Sequence, residues 1–398
     1  MHTATAIIIG GGVIGLSTAY HLALKNFGKI IVVEKGTVGE GSSRRAAGII
    51  TGLLWSDTGV LARKLSLQRF HALSEELPGY RFQAVGCLNL FDPPSWPERE
   101  KLLPLYDRLG APYEIMSAAE MHARWPDLKP SDETIGLFDP LGGYSEPEEY
   151  IPALAQKCRE LGVDIRENTQ VTGFSERNGR IMGVTTATGV LEGDAVICTV
   201  HAWLLPVIAR LHWQLPVKTF VHQRYVTTPL AMPVRIPAVN ANPQGGYIRP
   251  AVGNCVLAGG ETAKRAEYRV PSLDFQMDTL SAPDAVKTML TTNMTPLLPR
   301  LAETSWSTER VGLIAFSMDG EPVLGPVTQF PGLFVGCAFH SGGFAYNPVA
   351  GLLLAELVAD GRTQLDVSAF SPERFAPGAT EEYLQITVAQ EHAVRRRH

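Results

Sequence analysis

The stretch from residue 6 to residue 34 constrains this chain more than any other. Residues 6–9, Ala-Ile-Ile-Ile, form a short apolar run that stops at glycine and read as a buried parallel strand. Gly10, Gly12 and Gly15 then spell G-x-G-x-x-G, with Val13 and Ile14 ahead of the last glycine. Residues 16–24 continue as an apolar helical stretch ending near Asn26 and Gly28, and a second apolar strand, 30–33, closes in Glu34 and Lys35. The three glycines serve different ends. Gly10 permits the tight turn, Gly12 lets backbone approach a pyrophosphate, and Gly15 lets helix and strand pack closely. The helix N-terminus offers free N–H groups and the positive end of its dipole to phosphate. Glu34, about twenty residues beyond Gly15, is placed to accept hydrogen bonds from an adenosine ribose. Three glycines alone would say little. With strand, helix, second strand and terminal acid they define a dinucleotide site, which either a nicotinamide or a flavin cofactor satisfies.

The segment after the second strand separates the two cofactors. Gly39-Glu40-Gly41-Ser42-Ser43-Arg44-Arg45-Ala46-Ala47-Gly48-Ile49-Ile50 is a run of small and hydroxylated residues with two arginines, suited to close approach by a large, flat, anionic cofactor. It resembles the G-S-S-x-R-x-A-G segment of the D-amino-acid-oxidase-like FAD-dependent oxidoreductases. That family includes glycine oxidase, the sarcosine oxidases and their β subunits, D-amino-acid dehydrogenases and hydrogen cyanide synthase subunits. The resemblance implies FAD, with residues Ser42 to Gly48 beside the isoalloxazine ring. No cysteine or histidine attachment signature is matched, so the FAD is expected to be non-covalent. The implied fold class is α/β: a Rossmann-like FAD-binding domain of the glutathione-reductase type, with an inserted α+β substrate domain on an antiparallel sheet.

Further matches keep the family's order. Gly142-Gly143-Tyr144-Ser145-Glu146-Pro147 leads into a helix over 148–161, with Ser145 as the expected N-cap and Gly162 after it. Residues 163–165 and 169–171 read as short strands, and in the family the residue corresponding to Val171 meets the adenine through its backbone. Arg177-Asn178-Gly179-Arg180 is a hairpin signal before a strand at 184–186. Residues 195–199, ending in Thr199, form another buried strand. Val200-His201-Ala202-Trp203 resembles the family's A-x-G-A-W turn, with His201 where glycine is usual. Residues 281–293 read as a capped helix stopped by Pro296 and Pro299. Ser317 to Pro326 resembles T-x-D-G-x-P-x-x-G. A strand at 333–339 follows, then the loop His340-Ser341-Gly342-Gly343-Phe344-Ala345-Tyr346 and a helix over 347–359, with Asn347 as expected N-cap and Pro348 at its first position. In the family this loop passes the flavin's pyrimidine edge, where N–H groups stabilise negative charge on the reduced ring. The expected organisation is a discontinuous FAD-binding domain, 1–85, 144–215 and 305–385. Between its parts lies a substrate domain, 86–143 and 216–304, with a tail at 386–398.

Composition excludes other roles. A net charge of −5 with mixed signs advertises no face for nucleic acid, and the run Arg395-Arg396-Arg397 reads as a solvated tail. Five scattered cysteines without a C-x-x-C argue for a reducing compartment and against a zinc site. No stretch is long enough to span a bilayer, and the N-terminus reads as a strand rather than a signal peptide, so a cytoplasmic or peripheral protein is expected.

For the chemistry, Tyr247 and Arg249 in Gly-Gly-Tyr-Ile-Arg-Pro are the leading candidates, alternate residues on one strand face. The tyrosine resembles the substrate-facing tyrosine before proline in glycine oxidase. His340 and Arg310 are second choices, as is Arg45, and His222 with Gln223 lies on a strand that the family uses architecturally. Two family anchors for a carboxylate are absent: Ile314 and Ala345 stand at their positions. The resemblance implies oxidation of the C–N bond of a small amino acid or N-substituted amino acid, with reoxidation by oxygen, a quinone or a partner flavoprotein. It also implies a possible homo- or hetero-oligomer, because the length and C-terminal segment look closest to the β-subunit group. Oxidation of a 2-hydroxy acid, or an FAD-binding subunit without catalysis, are the alternatives.

Overall fold

Two large sheets, of six and nine strands, frame the described residues. The computed structural model describes residues 4–260 and 267–386, and the basic tail therefore lies outside the described residues. The first sheet has six strands in the order Val323–Pro326, Leu333–Cys337, Ala195–Cys198, Thr5–Ile9, Lys29–Val33, Asp164–Arg166. Its pairings are parallel apart from the edge strand Val323–Pro326. The strands are apolar on both faces because both are covered. Ala6, Ile8, Ile30, Val32 and Ile197 pack against the helices Val13–Leu24, Pro147–Glu160 and Gly343–Asp360. Ile7, Ile9, Ile31, Val33 and Val196 pack under an antiparallel layer of three short strands, Val171–Arg177, Arg180–Thr186 and Gly189–Glu192. Asn178 and Gly179 take φ of 54° and 74° in the hairpin between the first two, the left-handed pair that a two-residue turn demands.

The second sheet has nine strands in the order Phe339–His340, Trp306–Ser317, Val217–Thr227, Cys255–Gly260, Gly246–Ala251, Ala238–Ala241, Cys87–Phe91, Ile135–Asp139, Glu114–Met116. Neighbours are antiparallel except Ala238–Ala241 beside Cys87–Phe91, where the two separate chain segments meet. The strand Trp306–Ser317, which falls within the expected cofactor segment 305–385, is hydrogen-bonded into this sheet along its whole length. Helix Asp284–Met294 covers one face, with Leu290 and Met294 against Gly246 and Gly260. The opposite face looks onto the first sheet.

Helix starts differ from the sequence expectation for local reasons. Ser145 does not cap its helix; Glu146 holds that position and the Ser145 hydroxyl instead bonds the Tyr80 phenol at 2.6 Å. Asn347 is not an N-cap, because the helix Gly343–Asp360 begins a turn earlier at Gly342. Pro348 therefore sits inside a helix, where it has no N–H for the carbonyl four residues back. The Asn347 amide replaces that donor, reaching the Phe344 carbonyl at 2.6 Å while its Oδ1 accepts from Tyr150 at 2.7 Å. Proline is tolerated because its neighbour repairs the ladder.

Candidate active site

An open cleft runs from the C-terminal ends of the parallel strands to the exposed face of the nine-stranded sheet. Gly10 turns with φ +104°, and a Cβ on Gly15 would stand 2.0 Å from the Gly10 carbonyl oxygen, so only glycine lets the helix Val13–Leu24 approach the strand. Gly12 is that helix's N-cap without a capping side chain of its own, and no acidic residue lies in the first turn. The Val13 N–H is instead met by the Ser43 hydroxyl at 3.0 Å. Thr199 holds the turn from beneath, its hydroxyl donating to Ile9 and Gly10 carbonyls at 2.9 and 3.3 Å. The Glu34 carboxylate accepts from Gly11 N–H at 2.8 Å and Gly36 N–H at 2.9 Å. Burial pushes its pKa up, opposed by those two bonds, and it retains lone pairs for a ribose hydroxyl. A cradle that a single Cβ would fill, a helix end with free donors and a carboxylate at the second strand together fit an adenine dinucleotide.

The cleft is roofed by a segment that carries no sequence signal of such a role. Residues Leu273 to Asp278 cross it, held by Lys35 Nζ on the Leu273 carbonyl at 3.1 Å, by Trp203 Nε1 on the Phe275 carbonyl at 3.1 Å and by Gln170 on Asp274 at 2.9 Å. Lys35 also lies 4.3 Å above the Trp203 ring. Arg45 bonds the Glu40 and Gly41 carbonyls and pairs with Asp278, which closes the roof over the serine-rich loop. Ser42 donates to the Leu313 carbonyl at 2.8 Å, tying that loop to the second sheet.

At the far end the two sheets meet. Tyr247 and His222 face the cleft from strands separated by Cys255–Gly260, and His222 Nε2 lies 3.0 Å from the Tyr247 oxygen. The tyrosine reaches across because Gly259 lies beneath it: a Cβ there would stand 2.0 Å from the phenol carbon and oxygen. His340, buried with φ +58° and edge-on to Phe316 at 4.7 Å, forms the opposite wall with Ser341, Gly343 and Phe344. His201 takes φ +43°, the left-handed region that explains why glycine is usual at its position. Its imidazole is pushed down to about 4 by burial, offset in part by a bond to the Leu313 carbonyl, and is neutral at pH 7.

Most residues expected at the site line the cleft, but several do not. Arg249 is fully buried, with Nη1 and Nη2 on Glu146 at 2.7 and 2.8 Å and Nε on the Ala47 carbonyl at 2.6 Å. It shares Tyr247's strand face but is consumed beneath the serine-rich loop, and the substrate-facing role expected of it has no room. Arg310 is exposed outside the cleft, its guanidinium on the Glu309 carbonyl at 3.2 Å. Arg44 is also exposed, and what the loop uses of it is its carbonyl, which accepts from Arg224 at 2.9 Å. Gly15 and Gly48 act in packing rather than lining, since a Cβ on Gly48 would meet the Ser145 carbonyl at 2.0 Å. Gly342 faces away from the cleft toward Arg63, and Ala345 is buried within the helix. Sequence reading missed Gln276, Met277, Asp278 and Leu313, and treated His222 as architectural.

A family profile described as DAO, FAD dependent oxidoreductase, matches residues 5–357. The chain belongs to that family of flavoenzymes, and FAD is its cofactor. It is 27% identical to glycine oxidase of Pseudomonas putida over 383 residues, covering 92% of this chain and 98% of that one. It is 26% identical over 381 residues to 4-methylaminobutanoate oxidase (formaldehyde-forming) of Paenarthrobacter nicotinovorans, covering 93% of this chain but spanning only 45% of that protein's length. Among solved structures, L-proline dehydrogenase from P. horikoshii superposes with a TM-score of 0.86 at 24% identity, over 95% of this chain and 99% of the other. No described helix is long and apolar enough to cross a membrane.

Proposed function

We propose that this protein oxidises the C–N bond of a small amino acid or N-substituted amino acid to an imine, with His222 and Tyr247 removing the ammonium proton that would otherwise block reaction. The hydrogen-bonded pair at 3.0 Å, facing the substrate end of the cleft, carries this reading. FAD would supply the acceptor for the hydride, which carries the two electrons of the oxidation. A protonated amine has no lone pair to assist loss of that hydride. Tyr247 can accept the ammonium proton as its own passes to His222 Nε2, a transfer of one proton with no change in electrons. The cationic side chains lining the cleft among the described residues, Lys35 and Arg45, are taken up by the roof segment and the serine-rich loop. Phenol and imidazole groups therefore orient the substrate, and the residues at the two familiar anchor positions, Ile314 and Ala345, offer no charge. The names of the similar enzymes, which act on glycine, on proline and on a methylamino acid, support the same bond. Oxygen, a quinone or a partner flavoprotein would reoxidise the ring. Five free cysteines, four of them buried, support a cytoplasmic setting.

The test is anaerobic. Glycine, sarcosine, L- and D-proline, other amino acids and 2-hydroxy acids are added to the FAD-loaded protein, and the flavin band near 450 nm (roughly the usual oxidised-flavin position) is followed. Bleaching by an amine class is expected, and readmitted air separates oxidase from dehydrogenase. Bleaching by 2-hydroxy acids alone would transfer the same pair to a hydroxyl proton. No bleaching by any compound would overturn the assignment of this chemistry to the isolated chain.

A further inference from the structure

Behind the flavin-edge loop lies a charge that the amine chemistry does not use. Arg63, on helix Asp57–Glu76, is 5% exposed. Its guanidinium stands 4.3 Å from the Tyr346 ring centre, and Nη1 reaches the Thr51 carbonyl at 3.4 Å. Its Nε finds no acceptor among the described residues. Asp139, the carboxylate whose charge reaches it, makes no ion pair with it. That carboxylate is instead taken up by Thr51 Oγ1 at 2.9 Å and by the N–H groups of Gly52, Leu141 and Gly142 at 2.6 to 3.1 Å. A guanidinium cannot shed its proton in a protein, so a full positive charge is buried here without an ion-pair partner among the described residues. Such a charge is costly to fold around, and its place is informative. A Cβ on Gly342 would lie 2.4 Å from Arg63 Nη2, while the neighbouring Ser341 and Gly343 line the cleft. One residue of backbone, Gly342, separates the guanidinium from the cleft, and Thr51 follows directly on the segment 39–50 whose serines line it.

We propose that Arg63 is a positioning charge for the cofactor: through the Gly342 backbone it stabilises negative charge on the pyrimidine side of the reduced flavin. It adds to the N–H groups at the start of helix Gly343–Asp360, and in a buried setting the attraction is poorly screened. The inference needs FAD and the loop's place beside it, not the amine chemistry, so its failure and a failed substrate panel are distinguishable.

Sulfite is the probe. It adds through sulfur to N5 of the oxidised ring without another reactant and leaves negative charge over N1 and the C2 carbonyl. The FAD-loaded protein and its Arg63→Met, Arg63→Lys and Gly342→Ala variants are titrated with sulfite, with FAD content and melting temperature measured beside each. Arg63→Met is expected to weaken sulfite binding at least tenfold and Arg63→Lys to restore it to within about threefold. Gly342→Ala, whose methyl pushes the guanidinium back without removing it, should fall between. A merely structural arginine would change melting temperature and leave sulfite affinity alone. Sulfite affinity within twofold of the parent in Arg63→Met overturns the proposal, and if that variant does not hold FAD, the same result in Gly342→Ala does so.

Discussion

Single residues decide whether this cleft exists at all. A Cβ on Gly12 would lie 3.0 Å from the Ser43 hydroxyl, at the point where the helix N-terminus opens to the cleft. Gly12→Val therefore fills the place of the pyrophosphate, and FAD affinity should fall by on the order of a hundredfold or more. Purified variant with normal circular dichroism and no yellow colour is the expected result; full flavin occupancy would sink the cofactor's placement. The Tyr247–His222 pair makes a kinetic prediction. Tyr247→Phe and His222→Gln should each slow anaerobic flavin reduction about 10²- to 10³-fold at pH 7, in the range of general-base catalysis. The deficit should shrink as pH rises and more substrate arrives as free amine. The groups sharing that space, Arg45 with its partner Asp278, His340 and His201, stay in place in both variants. A deficit that is constant from pH 6 to 10 in stopped-flow traces would make the pair structural. At this scale the sequence was most legible where one residue type is obligatory, as at Gly10, Gly12 and Gly15. It was least legible at Arg249, where strand alternation gave the face correctly but could not show Glu146, a hundred residues away, waiting beneath it.

Between elements, the contact of helix Val13–Leu24 with helix Gly343–Asp360 holds the cofactor end to the flavin-edge loop. His21 is buried in it, with Nε2 3.1 Å from the Pro348 carbonyl. Burial, then the Arg69 charge, lowers its pKa from 6.5 to about 3. The folded protein thus keeps this imidazole neutral while the unfolded chain takes up a proton below pH 6.5. Stability from this residue is present above that value and is lost progressively as pH falls toward 3. Between pH 7 and 5 the loss is about 2 kcal/mol. His21→Gln, whose amide can still meet the Pro348 carbonyl, should flatten the pH dependence by that amount in urea unfolding at fixed FAD. An unchanged slope would place the titrating group elsewhere. The helices that begin near residues 13, 147, 284 and 343 and the hairpin at 177–180 were readable from periodicity and turn residues, whereas their ends were not, and helix Asp57–Glu76 was not read at all. Asn347 and Pro348 look like a helix start in any local reading. Only the neighbouring glycines and the repair of the Phe344 carbonyl let the helix begin earlier.

In the whole molecule, the nine-stranded sheet grips the serine-rich loop through two arginines on one face. Arg224 holds the Arg44 carbonyl and pairs with Glu148 at 2.8 Å, and Arg249 holds the Ala47 carbonyl and pairs with Glu146. Both glutamates stand at the start of helix Pro147–Glu160, so three separate chain segments meet at each pair. The roof at 273–278 completes the enclosure, and nothing in its composition marks it, because it is held through the Leu273 and Phe275 carbonyls, which any residue supplies, and through Asp274 and Asp278, whose partners lie far away in sequence. A double-mutant cycle separates clamp from substrate anchor. Arg249→Met alone leaves Glu146 buried and unpaired, and should cost about 3–5 kcal/mol in unfolding free energy. Adding Glu146→Leu should recover most of that stability, since replacing both members of a buried pair with apolar groups is often near neutral. FAD affinity should stay reduced in both, because the Ala47 carbonyl has lost its donor in each. A substrate anchor would behave in the opposite way, raising KM in Arg249→Met while stability and FAD binding held.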